Sequence, residues 1–166
     1  MKKRSGQFLV ELLVALGILT TGFMAMLGLL SRSIGLSRVV SDDYVATYLA
    51  SEGIEVAKNI LDANTLQEGR AWNAGFASAG VYEVSYDSRE LSVPDSGKTL
   101  NFDEAQHYSY YAGTPTPFRR KVVVTPVEDV NGKIDEIQIN SIIDWSSRGR
   151  TAQVNLEAHF FNWQSR

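Results

Sequence analysis

From Leu12 through Ser31 no side chain carries a charge. At 1.5 Å of rise per residue, a run of this length predicts a helix of about 30 Å, the thickness of a bilayer's hydrocarbon core. Beyond it, Ile34, Val40, Val45, Tyr48, Leu49, Val56, Ile60 and Leu61 recur at spacings mostly of three, four and seven. That period predicts an apolar stripe on the same helix, suited to packing against a domain. Asp42, Asp43, Glu52, Glu55 and Lys58 fall on the other side and predict a solvated face. No proline occurs before Pro94, so one helix is expected over residues 7–62, with 7–30 as its membrane part. Asp62-Ala63-Asn64 and then Glu68-Gly69-Arg70 predict its stop, and residues 63–166 form the head.

After Gly80 the period changes from helical to alternating. Val81–Tyr86 reads as a strand, followed by a polar loop through Pro94-Asp95-Ser96-Gly97. Tyr108–Tyr111 reads as a short strand ended by Gly113-Thr114-Pro115-Thr116-Pro117. Three longer strands are predicted at Phe118–Val127, Lys133–Trp145 and Thr151–Trp163, with turns at Asn131-Gly132 and Ser146–Gly149. Ile137/Ile139 and Val154/Leu156/Ala158 each put an apolar face toward the helix. A helix cannot bury its stripe alone, so the expected fold is α+β: a long N-terminal helix on an antiparallel meander of three to four strands. Trp72 and Phe76 are expected to anchor the connection between helix and sheet.

The start of the chain adds a signal that periodicity does not carry. Lys2, Lys3 and Arg4 precede the apolar run with nothing acidic beside them, a bias that keeps the N-terminus on the cytoplasmic side. Glu11 is a carboxylate inside the otherwise apolar segment. A charge near the centre of a spanning helix costs about 2.5–3.5 kcal/mol, less near an end, so it marks a functional position by default. A secretory signal peptide has a shorter apolar region and a small-x-small cleavage site, for which Thr20-Thr21-Gly22 is a weak match. A plain signal anchor fits length and charge but gives no reason for Gly6 or Glu11.

The basic leader, Gly6 and Phe8-Leu9-Val10-Glu11-Leu12-Leu13-Val14-Ala15 resemble the N-terminus of type IV pilins and type II secretion pseudopilins. The resemblance implies a type IV pilin-like fold. It implies a leader, residues 1–6, cut at Gly6–Gln7 by a prepilin peptidase that methylates the new N-terminal amine of Gln7. It implies that Glu11 serves filament assembly. Most members have phenylalanine where this chain has Gln7, which leaves cleavage expected and puts methylation of Gln7 in question. Ala46 through Asn59 and the Ile142-Ile143-Asp144-Trp145 strand ending are similar to PilV-type minor pilins and to pseudopilin I. The partners so implied are other pilin or pseudopilin subunits, the peptidase, an inner-membrane assembly platform and membrane lipid. Gly28 falls where many pilins carry a helix-breaking proline. It marks either a point of local melting in the filament or close helix packing in the membrane.

With 166 residues the chain has room for an anchor and one modest domain. Its formal charge is -3, and loss of the three leader cations makes it -6. An acidic chain lacks the field that drives phosphate binding, so a nucleic-acid partner is not expected. There is no cysteine, so the head relies on its core rather than on disulfides.

No catalytic constellation stands out, and neither an enzyme, a cofactor nor a metal is expected. His107 and His159 have no nucleophile motif near them, and His159 reads as an exposed or half-buried sheet residue. Asp129-Val130-Asn131-Gly132 superficially resembles a calcium loop but lacks the ligand spacing, and a hairpin turn accounts for it. Trp72, Trp145 and Trp163, with Tyr108, Tyr110 and Tyr111, offer an aromatic binding surface, but core packing and sheet pairing are expected for the tryptophans. Tyr108, Tyr110 and Tyr111 are the candidate exposed contact patch, and Arg119-Arg120-Lys121 is expected to be solvated. The rival to an assembly subunit is a membrane-anchored module whose head captures a ligand, DNA or a surface.

Overall fold

Helix α1 runs without a break from Arg4 to Leu66. The computed structural model describes residues 4–95, 97–147 and 149–163, with side chains from residue 6 onward. Lys2 and Lys3, the side chains of Arg4 and Ser5, and loop residues Ser96 and Arg148 lie outside the described residues.

The chain divides into two units between Asp42 and Asp43. The first unit is helical, and every side chain from Gly6 to Ile34 is exposed. Its apolar run makes α1 long and apolar enough to cross a membrane. The hydroxyls of Thr20 and Thr21 both donate to the carbonyl of Gly17, at 3.0 and 2.9 Å, so neither presents an unsatisfied donor on that surface.

The second unit is a helix on a sheet. Its strands are β1 Gly80–Tyr82, β2 Asn101–Phe102, β3 Tyr108–Ser109, β4 Thr114–Pro115, β5 Phe118–Glu128, β6 Ile134–Ser147 and β7 Arg150–Phe161. The main sheet is antiparallel with order β1-β5-β6-β7. A small second sheet, β3-β2-β4, joins it where Leu100 and Phe118 share a backbone hydrogen bond of 2.8 Å. The long strands form because β-branched and aromatic residues alternate with polar ones, and only one face meets the helix. Buried Phe118, Val122 and Val124 on β5 stand beside Ile137, Ile139, Ile143 and Trp145 on β6. Each fully buried side chain of this kind contributes about 1.5–3 kcal/mol.

From α1 the sheet receives Ala46, Leu49, Ala50, Val56, Ala57, Ile60 and Leu61. They fall into two clusters: Ala46 to Ala50 with Ile143 and Trp145, and Val56 to Leu61 with Val122, Ile137 and Ile139. Gly53 lies between them, where a Cβ would stand 2.3 Å from Ser141 Oγ. Small residues bring this part of the helix close to the strands, and the glycine is required by space.

Several sequence expectations are corrected here. The packed stripe keeps Leu49, Val56, Ile60 and Leu61 and adds the alanines at 46, 50 and 57, whereas Ile34, Val40 and Tyr48 are exposed. The helix passes Asp62 and ends four residues later, because Asn64 is buried and its amide donates to the carbonyls of Trp72 and Ala74 at 3.2 and 2.8 Å. The first strand stops at Tyr82, since Glu83 pairs with Ser92 instead and the chain turns at Ser85–Ser88. The Asn131-Gly132 turn is longer than a two-residue hairpin. Asp129 and Lys133 close it, and only Gly132 takes positive φ, at 75°. Of the small second sheet only the strand at Tyr108 was expected; β2 and β4 were not, because two-residue strands leave no period to read.

Candidate functional site

Gly6, Gln7, Glu11 and Gly28 all lie on the exposed surface of α1 in the first unit. Gln7 and Glu11 are four residues apart, so they share one helix face, about 6 Å apart along the axis. Glu11 has no hydrogen-bond or ion-pair partner among the described residues, and Leu12, Ala15 and Ile18 beside it are equally exposed. At Gly6 and Gly28 an added Cβ would meet nothing within 4 Å. The helix is regular through Gly28.

In the head, the sequence-selected polar and aromatic residues separate. Tyr110 is buried, its hydroxyl donating to the Arg120 carbonyl at 3.1 Å, and burial pushes its phenol pKa up. Tyr108 is half-buried and only Tyr111 is exposed, so the tyrosines do not form one patch. Arg120 is not solvated. Strand alternation turns it inward between Phe118 and Val122, where its guanidinium meets Glu52 at 2.8 Å. Its neighbours Arg119 and Lys121 do face outward, and Lys121 pairs with Asp144 at 2.8 Å. Burial raises the Asp144 pKa, but hydrogen bonds from Lys121 and Gln153 outweigh it and hold the carboxyl below its usual range.

His159 stands on the outer sheet face between two carboxylates, Glu136 across the ladder on β6 and Glu157 on its own strand. Glu136 first, then Glu157, hold the imidazole above its ordinary pKa. His107 stacks on Tyr86 with ring centroids 4.4 Å apart. The Asp129 carboxylate accepts from the Asn131 and Lys133 backbone N–H groups at 2.8 and 2.9 Å, closing a turn and lowering its own pKa. Among the described residues, no group of three His, Cys, Asp or Glu side chains is placed to hold a metal ion.

Trp145 is buried as expected, with 5% of its surface exposed, but Trp163 is 75% exposed. Even-numbered residues of β7 face the helix and Phe161, its last residue, does not; Trp163 lies two residues past the strand's end. Phe161 and Trp163 border a groove at the last turns of α1, with Trp72, Lys58, Asp62 and Thr65. The sequence reading did not assemble this groove. Compared with protein-family models, curated proteins and solved structures, the chain matches none.

Proposed function

We propose that the chain is a minor type IV pilin or a pseudopilin, anchored in the inner membrane with its N-terminus in the cytoplasm and then assembled into an extracytoplasmic filament. The observation that carries this reading is the N-terminal pattern: a basic leader, Gly6, and Glu11 as the one charge ahead of an uncharged run that ends at Ser31. A helix-on-sheet head continuous with the spanning helix is the architecture such a subunit needs. It leaves the apolar half of α1 for neighbouring helices. Processing removes Met1 to Gly6 and creates an amine at Gln7. The head contributes no catalytic step.

Glu11 gives the assembly a physical rule. At the membrane edge its carboxylate is within reach of water and lipid headgroups. Carried into a bundle of neighbouring helices it needs a cation, and the amine created at Gln7, on the same or an adjacent subunit, is the one at hand. At about 4 Å such a pair gains ~1 kcal/mol in water but nearer 4 at an effective dielectric of 20, so attraction grows as water leaves. Glu11→Val should therefore leave membrane insertion and cutting intact and reduce the protein's recovery in sheared filaments. Equal recovery of variant and wild type would contradict the role given to Glu11.

A further inference from the structure

A second groove, where α1 meets β3, is lined by aromatic rings and carries excess negative charge, and we infer that it binds a small quaternary ammonium ion. It lies wholly within the second unit and holds about 590 Å³, an ordinary size for a small-molecule site. Tyr44, Tyr48 and Glu55 follow one another on α1 at spacings of four and seven, which places them on one helix face. Tyr108 reaches the same groove from β3. The Tyr44 and Tyr48 rings stand edge to face with centroids 4.9 Å apart, and their hydroxyls share a hydrogen bond of 3.2 Å. A cation attracted by a ring sits within about 6 Å of its centroid, so one ion can lie within reach of both. Tyr108 packs on Phe102 and Phe118, with centroids at 4.9 and 6.5 Å, which holds its ring in position before anything binds.

The charges select the occupant. Two carboxylates line the groove, Glu52 and Glu55, and among the described residues no Lys, Arg or His does. Glu52 is neutralised by Arg120, whose side chain is fully enclosed. Glu55 is exposed and has no ion-pair partner among the described residues, since Lys58, three residues on, pairs with Asp62. One negative charge is left over beside the rings, and it rejects anions. The exposed rings at Tyr86 and at Phe161 and Trp163 differ in having a basic side chain beside them, His107 for the first, Lys58 and His159 for the others. A metal ion needs several oxygen or nitrogen ligands, and no such group of side chains occurs among the described residues. A primary ammonium ion is strongly hydrated and has N–H groups to satisfy. Aromatic walls with one free carboxylate suit instead a bulky, weakly hydrated monocation without N–H groups. Binding here uses neither Gly6 nor Glu11, so this inference and the filament reading can fail separately.

The test is an NMR titration of the full chain in an uncharged detergent, following the tyrosine ring resonances as tetramethylammonium chloride is added at constant ionic strength. The comparisons are tert-butanol, similar in shape but uncharged, and phosphocholine, which joins a quaternary ammonium group to a phosphate. Saturable shifts are expected with tetramethylammonium and not with tert-butanol, and phosphocholine should bind more weakly because its phosphate meets Glu55. Glu55→Gln and Tyr48→Leu should each weaken tetramethylammonium binding about three- to fivefold. Both side chains are exposed, so the fold should survive the changes, and Tyr44→Leu provides a further variant should Tyr48→Leu perturb it. No saturable shift with tetramethylammonium, undiminished binding by Glu55→Gln, or equal binding of tert-butanol or phosphocholine would overturn the inference.

Discussion

Arg120 Nη1 lies 2.8 Å from Glu52 Oε1, joining the start of β5 to the helix across 68 residues of sequence. The arginine side chain is completely enclosed, while Glu52 keeps 33% of its surface in solvent. Nε and Nη2 of Arg120 have no hydrogen-bond partner among the described residues, so Glu52 is the cation's only counter-charge there. Breaking a buried pair typically costs 3–5 kcal/mol, and the exposed carboxylate reduces this, so Glu52→Ala should destabilise the head by about 2–4 kcal/mol. Replacing both partners by apolar residues, Glu52→Leu with Arg120→Met, should restore most of the loss. Denaturant midpoints of the three proteins check this.

Gly53→Ala should also destabilise, against the helix rule. In an exposed helix the change gains about 1 kcal/mol. Here the new methyl would lie 2.3 Å from Ser141 Oγ and 3.2 Å from Arg120 Cδ. Overpacking of that kind costs about 1–3 kcal/mol and outweighs the propensity. Adding Ser141→Gly should recover stability, and Gly35→Ala, with nothing within 4 Å, should show no such penalty in the same thermal melts.

The two strand-end tryptophans should behave oppositely. Trp145→Ala removes a buried ring and should cost about 3–5 kcal/mol, whereas Trp163→Ala should leave the melting temperature within error. Both looked like core from sequence because each closes an alternating strand. The structure ends β7 at Phe161, so Trp163 lies two residues past the strand and the strand's alternation does not place that ring. For Arg120 the parity was legible, since the alternation of Phe118, Val122 and Val124 points it inward, but three adjacent cations suggested solvent instead. The long elements were readable because α1 joins an uncharged run to a repeating stripe without a proline, and β6 alternates over 14 residues. Glycine and the alanines at 46, 50 and 57 carry the closest helix–sheet contact, yet they contribute little to an apolar periodicity, so that part of the stripe was missed. The N-terminal pattern around Gly6 and Glu11 is local, and folding adds only that Gln7 and Glu11 share a helix face.

The cluster around His159 makes stability depend on pH. Its folded pKa is raised above the ordinary 6.5, so its contribution is complete below that value and is lost as pH rises through the folded pKa. Asn140 first, then His159, lower the Glu157 pKa from 4.5, so that contribution is present above 4.5 and lost as pH falls through the folded value. The cluster therefore contributes most between about 4.5 and 6.5. The melting-temperature gap between wild type and His159→Gln should be widest near pH 5.5 and should narrow as pH rises above 6.5 through the folded pKa. A gap that does not change with pH would assign His159 a packing role only.

The proposed processing as a prepilin is tested most directly at the new N-terminus. Coexpressed with an active prepilin peptidase and recovered from the membrane fraction, the protein should begin at Gln7 by intact-mass and peptide mass spectrometry. Gly6→Val should block the cut, because a branched side chain obstructs the close backbone approach the peptidase requires. A chain that keeps Met1 in the presence of active peptidase would contradict the account.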